Sequence, residues 1–434
     1  MEDGNVFDDL CLGYIYAAPL LMMAATFGTT RNILVHKQTT GTSANRLVAR
    51  PGVDTINTRV FLDLSSSPLV FQTPPSRTKR YPEGRFVSYE LIDAYTNCVA
   101  LFGTGFMNGD EGGTYLICGP SCRVETPKGM IRIDLPTNMA WLLCRSLMLR
   151  DEDLEEICSL QRQMSLYPLE KDAYVERVFP PFPAPPDEPL KMFFNLDPAA
   201  YFDLYNRLSL ENLPYVYDAP VLKRLKSYGI GPGLDFRMEQ FPKPLRTEIQ
   251  DRLVEAAQQK CMERLKQAVM RNGWSYSEKN IAHFGTDYTY RALVAIVGIM
   301  ANPVEVAMYL TAQVDQDGER LNGAHKYRIR FPAGATPPVQ SLGFWSLTAY
   351  AEDQYLVANP YDRFRISCAN AFQYNSDGSL DLIVQAQAPE DAGLFDNFLP
   401  CGEGIFDLCL RLYLPQQEAI DLLWSPPQVE RADG

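Results

Sequence analysis

Histidine is nearly missing from this 434-residue chain: His36, His283 and His325 are the whole supply, each far from the others in sequence. No H-x-H or H-E-x-x-H pair exists, so the spacing that lets two imidazoles share a zinc ion is lacking. A G-x-S-x-G elbow for a hydrolytic serine is absent as well. Gly229, Gly231 and Gly233 are broken up by Pro232, with no strand-to-helix context for a nucleotide phosphate. Positive charge is also in short supply, 40 Lys and Arg against 53 Asp and Glu, for a net charge of -13. With no basic run, nucleic acid and anionic membrane surfaces are poor partners. The one candidate for a spanning segment, Leu10 to Ala25, has sixteen residues, follows Glu2, Asp3, Asp8 and Asp9, and contains Pro19. A membrane span needs about 20 apolar residues and a signal peptide a basic start, so a buried helix without membrane insertion is expected.

What is present favours folded cores: 46% of residues are hydrophobic and 21% charged, at a length sufficient for two or three domains. Ten cysteines lie mostly inside hydrophobic segments. Without a secretion signal they should stay reduced, which places the protein in the cytoplasm. Cys118 and Cys122 flank Gly119-Pro120 with no second pair at a zinc-site distance. Asp315-Gln316-Asp317-Gly318 looks briefly like a calcium loop, but Arg320 and Lys326 stand where that loop requires glycine and glutamate. No metal and no cofactor is expected.

Along the chain, Val60, Leu62 and Leu64 alternate with polar or outward residues, and Leu69–Phe71, Tyr115–Cys118 and Met130–Leu135 form further short extended runs. Met139–Leu149 and Asp151–Met164 read as helices. Six prolines in Phe179–Pro189 predict a stiff linker. Thr247–Asn272, with a Thr247/Gln250 capping pattern, and Tyr288–Ala301 are the next helices. From Gly323 onward strands dominate. Tyr327–Phe331 alternates, Ser341–Arg363 reads as two strands meeting near Glu352 and Asp353, Asp377-Gly378 reads as a hairpin turn, and Phe406–Leu414 is a long final strand. The expected class is α+β and mainly antiparallel: a β-rich domain with flanking helices over 1–178, a linker and helical segment over 179–285, and a β-sandwich or jelly roll over 286–434.

Blocks in both halves carry a resemblance. GYIYAAPL at Gly13, DTINTRVFLDLSSSPLV at Asp54, DAYTN at Asp93 and PTNMAWLLCR at Pro136 are joined by DYTYRA at Asp287, ANPVEVAMY at Ala301, FWSLTAY at Phe344, NPYDRF at Asn359 and FDLCLRLYLP at Phe406. In order and spacing they resemble the paired domains of unknown function 1254 and 1214. That resemblance implies an α+β first half and a jelly-roll-like second half. Three departures stand out: no secretion signal precedes the first block, Val53 replaces a family-like asparagine, and NFLP at Asn397 replaces NWLP. A relocated, specialised member with an altered pocket is the reading they suggest.

Polar residues set in apolar blocks are the candidate site. Arg291, Tyr95, Asp93 and Arg363 are expected to be catalytic, with Asp54, Asn57, Arg80, Tyr81, Arg145, Trp345, Tyr350 and Asn359 binding substrate. Each alone is more simply a paired core residue or a turn residue. Together they suggest a cofactor-independent enzyme acting on a small apolar metabolite: a cyclase, isomerase or lyase of natural-product biosynthesis, Diels–Alder ring closure included. An apolar chamber between the halves would hold the substrate while Tyr or Arg polarises a carbonyl. A glycan-binding or glycan-processing protein and a non-catalytic interaction protein are the alternatives, with a homo-oligomer left open.

Overall fold

The computed structural model describes residues 3–27, 30–44, 50–170 and 196–432. The proline-rich segment Phe179–Pro189 lies outside them. Helix α1 (Asp3–Thr26) leads to a β-rich half built from β1 (Val35–His36), β2 (Thr55–Asp63), β3 (Leu69–Thr73), β4 (Val87–Asp93), β5 (Cys98–Gly103), β6 (Met107–Asn108), β7 (Gly113–Cys118), β8 (Ile131–Asp134) and β9 (Met139–Leu147). Helix α2 (Asp153–Gln163) and β10 (Ser165–Pro168) close it. These strands form a six-stranded sheet, β1-β2-β9-β4-β5-β6, and a four-stranded one, β10-β3-β7-β8. Val60, Leu62, Tyr89 and Leu142 of the first pack against Leu69, Phe71, Tyr115 and Ile117 of the second.

The helical segment comprises α3 (Pro198–Glu211), α4 (Ala219–Lys226), α5 (Lys243–Leu265) and α6 (Tyr288–Gly298). Helix α1 lies among all four. It is apolar nearly all round, and from Leu10 to Met22 its residues are buried except half-exposed Leu12. By length and composition this helix could cross a membrane, yet 83% of its apolar window is buried against the rest of the chain. A core helix passes the same test.

The second β-rich half holds β11 (Met270–Arg271), β12 (Trp274–Tyr276), β13 (Ala307–Ala312), β14 (Tyr327–Phe331), β15 (Val339–Ala351), β16 (Arg365–Ser367), β17 (Leu380–Gln385), β18 (Phe398–Pro400), β19 (Phe406–Pro415), the one-turn α7 (Gln417–Ile420) and β20 (Glu430–Arg431). The sheets β11-β12-β13-β19-β15-β16 and β18-β17-β14-β20 face each other as a sandwich. Trp345, Leu347, Leu408 and Leu410 fill it from one side, Tyr327, Ile329, Leu380 and Leu382 from the other. The α+β class and the antiparallel dominance hold; β5–β6, β7–β8 and β17–β18 are the parallel pairs.

Four local expectations need correction. Met139–Leu149 is not a helix but the strand β9, bonded to β2 and β4 and buried at every position. With both faces covered, a strand loses the two-residue alternation that would reveal it. Helix α5 begins at Lys243, where Pro244 suits the first turn, so Thr247 lies inside it and its Oγ1 donates back to the Lys243 carbonyl at 3.2 Å rather than capping. It ends at Leu265, and Asn272-Gly273 instead turns β11 into β12. The Asp377-Gly378 turn does not join paired strands, because β17 bonds to β14 and β18.

The junction between the β-rich halves is filled. Phe344 stacks on Tyr413 with ring centroids 4.2 Å apart, and Phe86 meets both edge-on at 5.6 Å. The apolar chamber expected there is occupied by these rings and by the buried polar contacts described below.

Candidate active site

Helix α6 opens at Asp287, whose Oδ1 accepts the Tyr290 N–H at 3.0 Å. From that start Tyr288 and Arg291, three residues apart, share the face turned toward α1. The Arg291 guanidinium carbon lies 5.1 Å from the ring centre of Tyr16 on α1, 5.2 Å from that of Tyr288 and 5.6 Å from that of Tyr95. Tyr95 comes from the β4–β5 turn. There Asp93 Oδ1 accepts the backbone N–H groups of Tyr95 at 2.8 Å and Asn97 at 2.9 Å, and the Tyr95 hydroxyl donates to the Asn212 carbonyl at 2.8 Å. The 3-10 turn Val216–Asp218 before α4 supplies the remaining wall. Tyr215 donates to Asp93 Oδ2, and Tyr16 donates to Asp218 Oδ2 at 2.8 Å.

Arg291 is fully buried, and its Nε, Nη1 and Nη2 make no hydrogen bond. Its nearest carboxylate, Asp218, stands at 3.9 Å, beyond hydrogen-bond reach, and Asp218 Oδ1 is also buried without a partner. Placing a guanidinium in such a position costs several kcal/mol unless something offsets it. The three aromatic faces offset part through cation–π attraction. Burial raises the Asp93 carboxyl above its ordinary value of 3.8, although Tyr215, the Asn97 and Tyr95 N–H groups and Arg291 all pull it down. Burial likewise pushes Tyr217 up to about 12 and holds Tyr16, Tyr95, Tyr205, Tyr215 and Tyr288 well above the phenol range, so these hydroxyls stay protonated at neutral pH. The resulting cage turns a planar set of N–H donors, a carboxylate oxygen without a hydrogen bond and aromatic faces toward one another. That donor set is the chemistry that recognises a planar group with an electron-rich oxygen, as a carbonyl or carboxylate has.

Of the residues singled out in the sequence, Arg291, Tyr95 and Asp93 meet here. Arg363 does not join them: it contacts the Asp396 carbonyl at 3.0 Å and the Phe395 ring at 4.9 Å. Asn359 shapes the turn before it, accepting the Tyr361 and Arg363 N–H groups at 3.1 Å. Trp345 faces the sandwich core, parallel to Phe372 at 5.7 Å.

Asp54, Arg145 and Tyr350 lie at the junction of the halves. Asp54 accepts from Ser346 Oγ at 2.8 Å and faces Arg365 at 3.6 Å. Arg145 pairs with Glu90 at 2.7 Å and donates to the Met300 carbonyl at 2.8 Å. The Tyr350 hydroxyl donates to the Pro51 carbonyl at 2.9 Å and accepts from Arg411 at 2.5 Å. Asn57 sits opposite Arg145 in the β2–β9 ladder and accepts from Thr55 Oγ1 at 3.2 Å. Arg80 and Tyr81 border a separate cleft of about 360 Å³ with Arg150 and Asp153, where the Tyr81 hydroxyl donates to Asp153 at 3.0 Å.

Sequence reasoning missed Tyr16, Tyr288, Asp218, Tyr215 and Tyr217. The first two stand inside the blocks GYIYAAPL and DYTYRA. The others form the run Tyr215-Val216-Tyr217-Asp218, whose aromatic density beside one acid was the available signal.

Comparison with known proteins agrees with this architecture. A family profile described as "Protein of unknown function (DUF1254)" matches residues 31–168, and one described as "Protein of unknown function (DUF1214)" matches residues 306–417. No curated protein matches the chain. Among solved structures, the VPA0106 protein from Vibrio parahaemolyticus is similar over 98% of this chain and 100% of its own, with a TM-score of 0.71 at 19% identity. That likeness concerns the fold alone. An uncharacterised protein from Burkholderia cenocepacia aligns over 97% of this chain and 88% of its own at a TM-score of 0.45 and 12% identity, too slight to bear on the fold. By both profile matches and their order, the chain belongs to the proteins that carry the domain of unknown function 1254 followed by the domain of unknown function 1214.

Proposed function

We infer that the chain is an enzyme that uses its own side chains, without a cofactor, on a small and largely apolar molecule bearing a carbonyl or carboxylate. The observation that carries this reading is Arg291, a fully buried guanidinium with three nitrogens unbonded inside a ring of tyrosines. Perturbed, incompletely paired charges of this kind collect at functional sites. In the proposed reaction, a cyclisation, isomerisation or lyase step, Arg291 takes the substrate oxygen. A C–H bond next to the carbonyl breaks, its proton passes to Asp218 Oδ1, and the electron pair moves into an enolate held by the guanidinium. Asp93, whose oxygens are already engaged by Tyr95, Asn97 and Tyr215, orients the cage. Tyr217, 43% exposed and stacked on Tyr215 at 4.7 Å, is the ring that connects the cage to the surface. Action in the cytoplasm, on a small-molecule substrate rather than a macromolecule, completes the proposal.

The test is a thermal-shift and NMR screen of unsaturated keto acids and ketones against the wild type and Arg291→Lys, which keeps the charge but not the planar fork. Ligands that raise the wild-type Tm and leave the variant unmoved support the reading. Equal shifts in both proteins, or none in either, overturn it.

A further inference from the structure

The small sheet of the C-terminal sandwich carries a cleft on its outer face, chemically unlike the α6 cage. Asp381 and Gln385 of β17 project away from the core there, and the segment Gln373–Asn375 rises beside them, enclosing a cleft of about 260 Å³. Amides dominate it. Buried Asn397 makes its rim rigid: Nδ2 donates to the Gln373 and Asp381 carbonyls at 2.9 Å each, and Oδ1 accepts the Gln373 N–H at 2.9 Å. Asp381 Oδ1 is buried without a hydrogen bond, and the other oxygen is 3.7 Å from Arg330. Tyr374 stands at the mouth, 55% exposed, a large ring left open to solvent.

We propose that this cleft binds one neutral pyranose unit of a glycan. Amides and a carboxylate together donate to and accept from the adjacent hydroxyls of a sugar, while the Tyr374 face suits its C–H surface. The lining cations are already engaged, Arg328 by Glu430 at 3.1 and 2.6 Å and Lys326 by a further contact within the chain, so little attraction remains for an anionic ligand. The volume is below the roughly 300–1,000 Å³ of drug-sized sites and suits a single ring. A peptide strand is disfavoured, because β17 is bonded on both edges, to β14 and β18.

Saturation-transfer NMR and calorimetric titration with glucose, galactose, mannose, N-acetylglucosamine and their disaccharides test this directly, with an amide-rich tetrapeptide as a further arm. At least one sugar should bind in the millimolar range, about tenfold more weakly to Tyr374→Ala and Asp381→Asn. Arg291→Lys should bind it as the wild type does, which keeps this result separate from the α6 site. No sugar binding, binding indifferent to both cleft substitutions, or binding of the tetrapeptide alone overturns the proposal.

Discussion

Asp93 and Glu90 illustrate how single buried acids set the pH response. Burial raises both carboxyls above their ordinary values of 3.8 and 4.5, despite Tyr215 and two N–H groups at Asp93 and the Arg145 ion pair at Glu90. A carboxyl raised by folding contributes stability that is complete below its unfolded value and is lost as pH climbs through the folded one. Asp93→Asn removes that loss at its own position. The Tm of the variant should therefore gain on that of the wild type as pH rises from about 4 to neutrality. Scanning calorimetry across that range checks it. Asp93 stood out in the sequence as a polar residue in an apolar block, but its encounter with Tyr215 did not, since 122 residues separate the two.

Among elements, α1 decides most. Gly13 sits where α1 meets α3 and α4: a Cβ there would lie 3.0 Å from Leu225 Cδ2, 3.3 Å from Ile230 Cδ1 and 3.5 Å from the Phe202 ring. In Gly13→Ala the helix-propensity gain of about 1 kcal/mol should roughly offset this crowding. Gly13→Val adds two methyls against the same neighbours and should lose about 1–3 kcal/mol in urea unfolding. The helical character of α1 was plain from its long apolar run. The strand character of β9 was hidden by the same feature, because the run from Met139 to Leu147 is buried on both faces and its helix-or-strand choice depends on β2 and β4 lying alongside.

At the scale of the whole molecule, Arg365 ties the two β-rich halves together. From β16 it donates to the carbonyls of Val53, Met148 at 2.8 Å and Leu149 at 2.9 Å, and it faces Asp54 at 3.6 Å. Arg365→Met would leave those acceptors and a buried carboxylate without a cation. The expected result is a loss of about 3–5 kcal/mol and separation of one unfolding transition into two, measured by differential scanning calorimetry.

The sequence by itself determined the class of fold, the order of its β-rich and helical regions and the family, because periodicity, turn residues and motif order are local properties of the chain. It also marked Arg291, Tyr95 and Asp93 as polar residues out of place in apolar blocks. Only tertiary structure decided that these three share a cage with Tyr16 and Asp218 while Arg363 and Trp345 stand elsewhere. Whether a buried arginine is paired depends on which distant side chains arrive within about 4 Å, and that distance is set by packing of α1, α4 and α6 rather than by spacing along the sequence.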